Sequence, residues 1–482
     1  MNKNWSREDP LHNVHVPDDE HIAIPAIWVV ELLTPTTADA FKRALVRNKW
    51  DRDRRFFRSE DNADLLSKRR SRDGASWWRL AEVVSTNDAG WDPLAARDRL
   101  PSQFGRVDIK AIQVGAGLTA IVACFHLEDN AARSIDVAWH APREPELVRS
   151  GWKRPRAMEP QAVAWRDTQR ARRLLHNAAR KWMAEKCPGF FANHREHQLV
   201  MDLLLMERLD PFATSQIQPD LSDALRAIGI TDINFEQKTS AALPMMRLTE
   251  VEPDLAPELQ SRTVALWGQR QAIADANDEF QYYGGSTDQA VAHHVDGHIL
   301  GFLVTLAIGG FLSVIEAKYS ELRDRARNQH AAFKPGGIRQ LRDSMLTLSL
   351  DLTSVKRDVE NYRSHAWRSF DVAPFMAEYE PWIIAENEAA GRKAREPRNL
   401  NDRIADNQAE TFTRLIEADR EYRDILATVA SLGASVDSLG IARRALWIAL
   451  ASLVVAGATL LVANMGDQSV LRAVLNLLAH IG

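Results

Sequence analysis

The longest uncharged apolar stretch of the chain is Ala445–Met465, close to the C-terminal end of the sequence. A helix needs about 20 mostly apolar residues to cross the hydrocarbon core of a bilayer, and this stretch meets that length. Arg443 and Arg444 stand directly before it and favour the cytoplasmic side, while Trp447 suits the membrane interface. The pattern predicts a transmembrane helix over 445–465. The alternative is a buried helix in a soluble core.

A heptad pattern precedes this stretch. Apolar or small residues recur every seven positions in two series offset by three: Leu415, Tyr422, Val429 and Val436, and Ala418, Ile425, Leu432 and Leu439. Such a/d spacing is typical of a coiled coil, in which a helix packs against copies of itself. We therefore predict a stalk helix over 401–444 that runs into the membrane, and a homo-oligomer. An amphipathic helix in a cytosolic bundle is the alternative.

A second apolar stretch, Ile299–Ile315, holds 17 uncharged residues, which is the lower limit for a membrane span. If it crossed the bilayer, everything before it would lie across the membrane from the stalk. That arrangement disagrees with the lack of a secretory signal and of cysteine pairs. We predict a buried helix in a helical bundle, with a membrane span as the alternative.

A third helical pattern follows the turn at Pro335-Gly336-Gly337. Its apolar residues alternate in steps of four and three: Leu341, Met345, Leu348, Leu352, Val355, Val359, Tyr362 and Ala366. The spacing predicts one long helix with a single apolar stripe. Paired with 299–330 as an antiparallel hairpin, it would form a helical domain over 251–400.

The first half of the chain mixes strand and helix patterns. Strands are predicted at Ile22–Leu33, Trp77–Val84, Val107–Val114, Leu118–Leu127 and Ile135–Trp139. Helices are predicted after Thr34-Pro35-Thr36, over Pro160–Lys186 and over Glu196–Arg208. The expected fold class is an α+β domain with a mostly antiparallel sheet at 21–250, followed by a long-helix bundle, the stalk and the transmembrane helix. Residues 1–20 are predicted to be disordered.

The last segment, 466–482, begins with a polar turn and continues with Val470–Ile481, which is apolar but carries Arg472. Twelve residues form a helix of roughly 18 Å, which is shorter than the hydrocarbon core of ~30 Å. We predict an interfacial helix; a re-entrant segment or a tilted second span are the alternatives.

Composition bounds the compartment and the class of protein. The chain of 482 residues has a formal net charge of −4, which argues against a dedicated nucleic-acid binder. Its two cysteines, Cys124 and Cys187, lie far apart and fit a reducing compartment. The N-terminal residues are polar and lack the apolar region of a secretory signal. We expect a cytoplasmic body with a C-terminal anchor in the inner membrane.

Basic residues crowd Arg43–Arg79, with Phe56, Phe57, Trp77 and Trp78 among them. Basic charge beside aromatic faces suits a nucleotide-like or other anionic ligand. The alternative is a solvated face whose charge is offset by nearby acidic residues. The candidate anionic-ligand patch consists of Arg54, Arg55, Arg58, Arg69 and Arg70.

A candidate metal site consists of His293, His294 and His298, with Asp296 between them. Imidazoles four or five positions apart on a helix suit a metal such as zinc. Gly297 would interrupt that helix, so exposed histidines at a helix start are the alternative. No cofactor is identified beyond a divalent cation in a transported or regulatory role.

Gly115 and Gly117 form a Gly-x-Gly pair between two predicted strands. A dinucleotide-binding loop needs a third glycine and a following helix, so we predict a hairpin turn instead. The sequence has no Ser-His-Asp setting, no P-loop and no paired carboxylates at a useful spacing, so we expect a protein that is not an enzyme.

The order of predicted elements resembles the CorA-type divalent-cation channels: an α+β domain, paired helices, a stalk entering the membrane, a turn and a last apolar helix. In that family the first membrane helix ends in Gly-Met-Asn. This chain has Asn464-Met465-Gly466, the same residue types in reverse order, so the selectivity role is not carried over. The family's second membrane helix is also longer than the one here. The resemblance implies a homo-oligomer, a pentamer, with stalk helices around one axis.

The sequence is compatible with two functions. The first is a divalent-cation channel or transporter of CorA-like build, with Ser452, Thr459 and Asn464 as the polar residues lining a pore. The second is a membrane-anchored effector that senses a cytosolic ligand and then perturbs the membrane, without constitutive transport.

Overall fold

The structure is a computed structural model of the chain. It describes residues 16–17, 19–51, 61–71, 76–86, 95–149, 155–212, 224–230, 236–251, 258–276, 287–330, 335–365, 374–393, 396–463 and 476–479. The chain divides into two compact units. The first lies within Met1–Lys318 and Thr347–Ile416, and the second within Tyr319–Leu346 and Glu417–Gly482.

The helices of the described residues differ widely in length. They are α1 (Ala38–Arg47), α2 (Asn62–Arg70), α3 (Asp129–His140), α4 (Pro160–Lys186), α5 (Phe190–His194), α6 (Arg270–Asp275), α7 (Thr287–His298), α8 (Leu300–His330), α9 (Pro335–His365), α10 (Pro381–Ala389) and α11 (Leu400–Ala463). The predictions of α1, of α4 and of a long helix over the apolar stripe from Leu341 are confirmed. The predicted turn at Pro335-Gly336-Gly337 is wrong, because these residues form the start of α9.

The strands are short except near the middle of the main sheet. They are β1 (Ile22–Ala23), β2 (Ala26–Leu33), β3 (Ser76–Ser85), β4 (Ala96–Asp98), β5 (Phe104–Gln113), β6 (Thr119–Leu127), β7 (Glu146–Val148), β8 (Arg156–Met158), β9 (Leu199–Met206), β10 (Glu236–Ser240), β11 (Leu243–Glu250), β12 (Thr263–Gln269), β13 (Met376–Tyr379) and β14 (Arg398–Asn399). The strands predicted around β2, β3, β5 and β6 are confirmed.

In the described residues the main sheet has 12 strands in the order β14-β13-β10-β11-β12-β9-β2-β6-β5-β3-β4, with β1 paired to β9. Most pairs are antiparallel, as the sequence predicts, while β9–β12 and β3–β4 are parallel. The sheet is therefore mixed, and it belongs with its helices to one α/β unit. Strands β7 and β8 form a separate two-stranded sheet.

Helices cover both faces at the centre of the main sheet. Every residue of β2 and β9 is buried, which is typical of strands covered on both sides. On one face the indole of Trp28 donates to Asp296 of α7 at 2.9 Å. On the other face Asp202 of β9 accepts hydrogen bonds from Arg172 and His176 of α4.

Two of the predicted elements are wrong. Ile135–Trp139 lies within helix α3, where Ile135 and Trp139 are four positions apart and bury one helical face. The predicted helix Glu196–Arg208 is strand β9 instead. A short leucine-rich run fits either period, and the neighbouring strands β2 and β12 determine that it is extended.

The predicted boundary near residue 250 falls between β11 and β12, which pair with each other. The predicted helical domain at 251–400 also contains β12, β13 and β14. Residues from both sides of position 250 therefore contribute to one sheet.

Helices α8 and α9 bury the apolar residues that predict them. Ile299, Phe302 and Ile315 have no exposed surface, in keeping with the predicted buried helix. The predicted stripe of α9 is buried from Leu341 to Tyr362, and Ala366 lies outside the described residues. An apolar stripe of this kind stabilises a helix mainly through what it packs against.

Candidate functional site

The C-terminal part of α11 is apolar and is not packed against any other described residues. None of Ala442–Thr459 is buried, although its length and composition would allow it to cross a membrane. Its exposed large side chains are Leu446, Trp447, Ile448, Leu450, Leu453, Val454 and Val455. A contiguous apolar surface of this kind marks a contact with lipid or with another protein. Each such side chain gains about 1.5–3 kcal/mol when it leaves water.

Polar side chains are few in this segment. Ser452 and Thr459 are exposed and lie seven residues apart, on one side of the helix. The hydroxyl of Thr459 donates to the backbone oxygen of Val455, so the helix already satisfies its donor. Asn464, the third predicted pore residue, lies outside the described residues, as does most of Val470–Ile481.

The other apolar helical run, Leu300–Arg325, also has the length and composition of a span, but 72% of its most apolar window is buried. Phe302 packs against Phe375 and Phe311 against Phe190, each with ring centroids 4.6 Å apart. Gln408 of α11 donates to the backbone oxygen of Thr305 at 2.6 Å. These contacts make Leu300–Lys318, the part of the run that belongs to the first unit, a core helix of that unit.

The three predicted metal ligands do not converge on one point. His293 is exposed, whereas His294 Nε2 faces the backbone oxygen of Ala242 at 3.1 Å. His298 Nδ1 lies 3.0 Å from the backbone oxygen of His294, and Gly297 remains within the helix. Each of these hydrogen bonds occupies one ring nitrogen and leaves the other available to a metal. Among the described residues, however, no three ligand atoms of this group lie within 4.8 Å of one another. Asp296 instead accepts from Trp28 and Lys110.

A different trio has the spacing of a metal site. One ligand atom each of His21, Asp136 and His140 lies within 4.8 Å of the others. Both ring nitrogens of His140, however, face backbone oxygens, those of Asp136 at 2.7 Å and Glu20 at 2.7 Å. Burial opposes a charge on His140, but these hydrogen bonds outweigh it and raise the pKa. Both ring nitrogens of His140 are thus directed at backbone oxygens and not at a metal shared with His21 and Asp136.

Of the five arginines predicted to bind an anion, the structure describes Arg69 and Arg70, and Arg70 is hydrogen-bonded within the protein. Arg70 donates to the backbone oxygens of Leu33 and Gly117 and to the hydroxyl of Thr119. Burial lowers its pKa. Arg69 is partly exposed, and Arg54, Arg55 and Arg58 lie outside the described residues. Arg70 thus joins α2 to the end of β2 and to the β5–β6 turn.

The same turn is the docking point of α9. Asp358 accepts hydrogen bonds from the backbone N–H groups of Gly117 and Leu118, the latter at 2.7 Å. A Cβ at Gly115 would collide with the Asp358 side chain. The Gly-x-Gly pair is thus a hairpin turn, and its glycines let a helix approach closely. About two helical turns earlier on α9, Asp351 accepts hydrogen bonds from the hydroxyls of Thr34 and Thr36.

A fully buried ionic network joins α4 to β9. Arg172 donates through Nε and Nη2 to the two oxygens of Asp202 at 2.5 and 2.6 Å, and His176 Nε2 lies 2.9 Å from Asp202. Burial opposes ionisation of Asp202, but Arg172 outweighs it and holds the pKa of that carboxyl well below its usual range. The sequence gives no sign of this network, because its partners belong to different elements.

Cys124, His126 and Asp108 lie together on β5 and β6. The thiol is 3.6 Å from His126 Nε2, and the same nitrogen is 2.9 Å from Asp108. A nucleophilic relay needs the two ring nitrogens to serve different partners. Burial raises the pKa of the Cys124 thiol well above its ordinary value, so the sulfur stays protonated. Both features favour a packed structural cysteine.

Comparisons with known protein families, with curated proteins and with solved structures find no match for this chain.

Proposed function

We propose that this chain is an oligomeric protein of CorA-like architecture, anchored in the inner membrane by the C-terminal end of α11, with its body in the cytoplasm. The observation that carries the proposal is the unpartnered apolar surface of Ala442–Thr459 at the end of a 64-residue helix. In lipid, a helix satisfies its backbone internally and its apolar side chains leave water, so insertion removes the cost of that exposed surface.

Self-association is supported by the small residues of the same segment. Ala449, Ala451, Ser452, Ala456, Gly457 and Ala458 permit close contact between helices in lipid. The heptad pattern before them favours the same association outside the membrane. The CorA-like order of elements makes a pentamer the expected assembly, and a divalent cation its expected cargo.

The second candidate function is a ligand-sensing effector without constitutive transport. One observation favours it over a channel: the described part of the segment contains no carboxylate, and the Thr459 hydroxyl is already bonded to its own helix. A cation pore normally offers rings of carboxylates or backbone oxygens to replace the water around the ion.

Reconstitution into liposomes tests the anchor first. We expect the protein to float with the lipid and to cross-link as an oligomer. Val454→Arg should weaken membrane association about a hundredfold, because an arginine in mid-membrane costs roughly 2.5–3.5 kcal/mol. Val137→Arg is the matched control, since Val137 is equally exposed but lies on α3. Wild-type protein that stays in the aqueous fraction as a monomer would refute the proposal.

Ion flux into the same liposomes separates the two functions. Uptake of Mg²⁺ or Co²⁺ by the wild-type protein alone supports the channel. Leakage of a trapped dye only after a nucleotide is added supports the effector. Membrane association without either activity would leave the anchor and refute both activities.

A further inference from the structure

Basic side chains gather beside the N-terminal ends of the neighbouring strands β9 and β12, which form one edge of the sheet across the strand direction. Because β9 and β12 are parallel neighbours, the loops that precede them lie side by side. His194 is the last residue of α5, His197 lies in the loop between α5 and β9, and Arg262 lies in the loop before β12. Arg180 of α4 reaches both loops: it donates to the backbone oxygens of Gln198 at 2.9 Å and Arg262 at 3.3 Å. We name Arg180, His194, His197 and Arg262 the edge cluster.

Arg180 is a buried cation that forms no ion pair with any described residue. Only 6% of its surface is exposed. Its donors go to backbone oxygens, including that of Ser261 at 3.1 Å, and to the side-chain oxygen of Gln260. Burial, followed by the charge of Arg262, lowers its pKa to about 9. A buried charge is normally paired, so this guanidinium leaves a positive field that the neighbouring protein dipoles only partly offset.

Arg262 is held beside Arg180 by three features. Its Nη1 donates to the backbone oxygen of His197 at 2.7 Å, and its guanidinium lies 5.3 Å from the ring centre of Phe191. Its backbone is left-handed, with φ of 61°. A Cβ at Gly310 of α8 would lie 3.1 Å from the Arg262 side chain, so the glycine provides the space that Arg262 occupies. Among the described residues it has no ion pair.

The two arginines act electrostatically on His197. Partial burial and then the charges of Arg180 and Arg262 lower the pKa of His197, while burial and Lys318 lower that of His194. Glu196 is the acidic residue that acts in the opposite sense on both histidines and on Arg262. Among the described residues, the cations named here outnumber this one carboxylate.

The segment that carries the histidines, from α5 to the start of β9, is held by hydrogen bonds to Glu31 of β2. The buried carboxylate of Glu31 accepts from the backbone N–H groups of Phe191 at 2.8 Å and Ala192 at 3.1 Å, and from the amide of Gln198 at 2.8 Å. Both ends of this segment are thus hydrogen-bonded to β2 in the absence of a ligand. A site whose donors are already ordered loses less entropy on binding.

We propose that the edge cluster binds a phosphoryl oxyanion, such as the phosphate of a soluble nucleotide or of a phospholipid headgroup. Arg262 and His197, which is exposed, would contact the anion, and the saturated Arg180 would contribute its charge. Guanidinium groups match phosphate oxygens with paired, charge-assisted hydrogen bonds. An anion here would also relieve the repulsion between the two arginines. The site does not depend on membrane insertion.

The test uses the full chain in detergent, with inorganic phosphate and ADP as probes in calorimetry and thermal melting. We expect both probes to bind the wild-type protein and raise its melting temperature. Arg262→Gln should weaken binding at least tenfold, while Arg133→Gln, a matched change on the exposed face of α3, should not.

Two outcomes would overturn the proposal: equal phosphate affinity in wild type and Arg262→Gln, or the same stabilisation from chloride at matched ionic strength. If Arg262→Gln does not fold, His197→Gln replaces it, because that side chain is exposed. Vesicles identify the source of the anion. A preference for phosphatidic acid over phosphatidylcholine that Arg262→Gln removes indicates a headgroup, whereas tight ADP binding without that preference indicates a soluble ligand.

Discussion

Two helical segments of this protein have the length and composition of a membrane span, and their surroundings differ completely. Leu300–Arg325 is the more hydrophobic of the two, yet most of it is buried against aromatic rings and α11. Ala442–Thr459 is less hydrophobic, and none of it is buried. Hydrophobicity alone would rank the buried segment first. A core helix packs its apolar surface against the rest of the protein, whereas a candidate membrane anchor leaves that surface exposed.

The same charged substitution should affect the two segments very differently. Val304→Arg places an unpaired charge where no surface is exposed, so we expect loss of the folded state. Val454→Arg should leave the fold intact and change only membrane association. Circular dichroism and limited proteolysis of both variants check this. A Val304→Arg protein that melts cooperatively at the wild-type temperature would remove the distinction.

A smaller but still large loss is expected where the packed unit buries its charges. Asp202→Asn leaves Arg172 without its carboxylate, which should lower the free energy of unfolding by about 3–5 kcal/mol. Asp275→Asn, on the exposed end of α6, should change it by less than about 0.5 kcal/mol. Urea unfolding of the detergent-solubilised protein measures both. Similar values for the two variants would contradict the importance of the network.

The buried Glu31 should make stability depend on pH near neutrality. Burial raises its carboxyl pKa to about 7, above the ordinary 4.5, so the folded state holds the proton more tightly than the unfolded state. Its contribution is therefore fully present below pH 4.5 and is lost as pH rises to about 7. Between pH 5 and 8 the wild type should lose about 1–3 kcal/mol relative to Glu31→Gln, which cannot titrate.

Unfolding curves at a series of pH values measure that difference. Glu386→Gln, an exposed change on α10, should follow the wild-type pH dependence throughout. An identical pH dependence in wild type and Glu31→Gln would show that the Glu31 carboxyl stays ionised.

The smallest effects come from two glycines. Gly115→Ala forces the Asp358 side chain away from the β5–β6 turn and should cost about 1–3 kcal/mol. A Cβ at Gly457 would meet no described atom within 4 Å apart from the nearby backbone of its own helix, so Gly457→Ala should be neutral or stabilise the helix by up to about 1 kcal/mol. Thermal melting of each variant checks the pair. Equal effects would mean that α9 does not depend on the close approach at the turn.

The sequence predicts the elements whose pattern is long or has an unambiguous turn. The stripe from Leu341 to Tyr362 spans many helical turns, and Gly115-Ala116-Gly117 separates two β-rich runs, so both are interpreted correctly. Leu199–Met206 is misassigned because a short leucine run carries no clear period, and its neighbours in the sheet are distant in sequence. Local pattern is sufficient only where the element does not need its partners to choose a conformation.

The candidate sites are harder to predict, because side-chain partners are set by tertiary structure. Arg70 belongs to a basic run but spends its donors on three backbone and hydroxyl oxygens of other elements. His21 and His140 meet although 119 positions separate their numbers, and only the contact of α3 with the β1 region brings them together. Arg180 of α4 and Arg262, which precedes β12, likewise meet although 82 positions separate their numbers.

The burial of both thiols has a practical consequence. Cys124 and Cys187 are the two cysteines of the sequence, and neither is exposed. A single cysteine introduced at Leu446 or Val137 would therefore be the accessible attachment point for a maleimide dye, with both native residues left in place. The wild-type chain is in this sense a ready-made background for spectroscopic labelling, in which an environment-sensitive probe at either position reports on lipid or water directly.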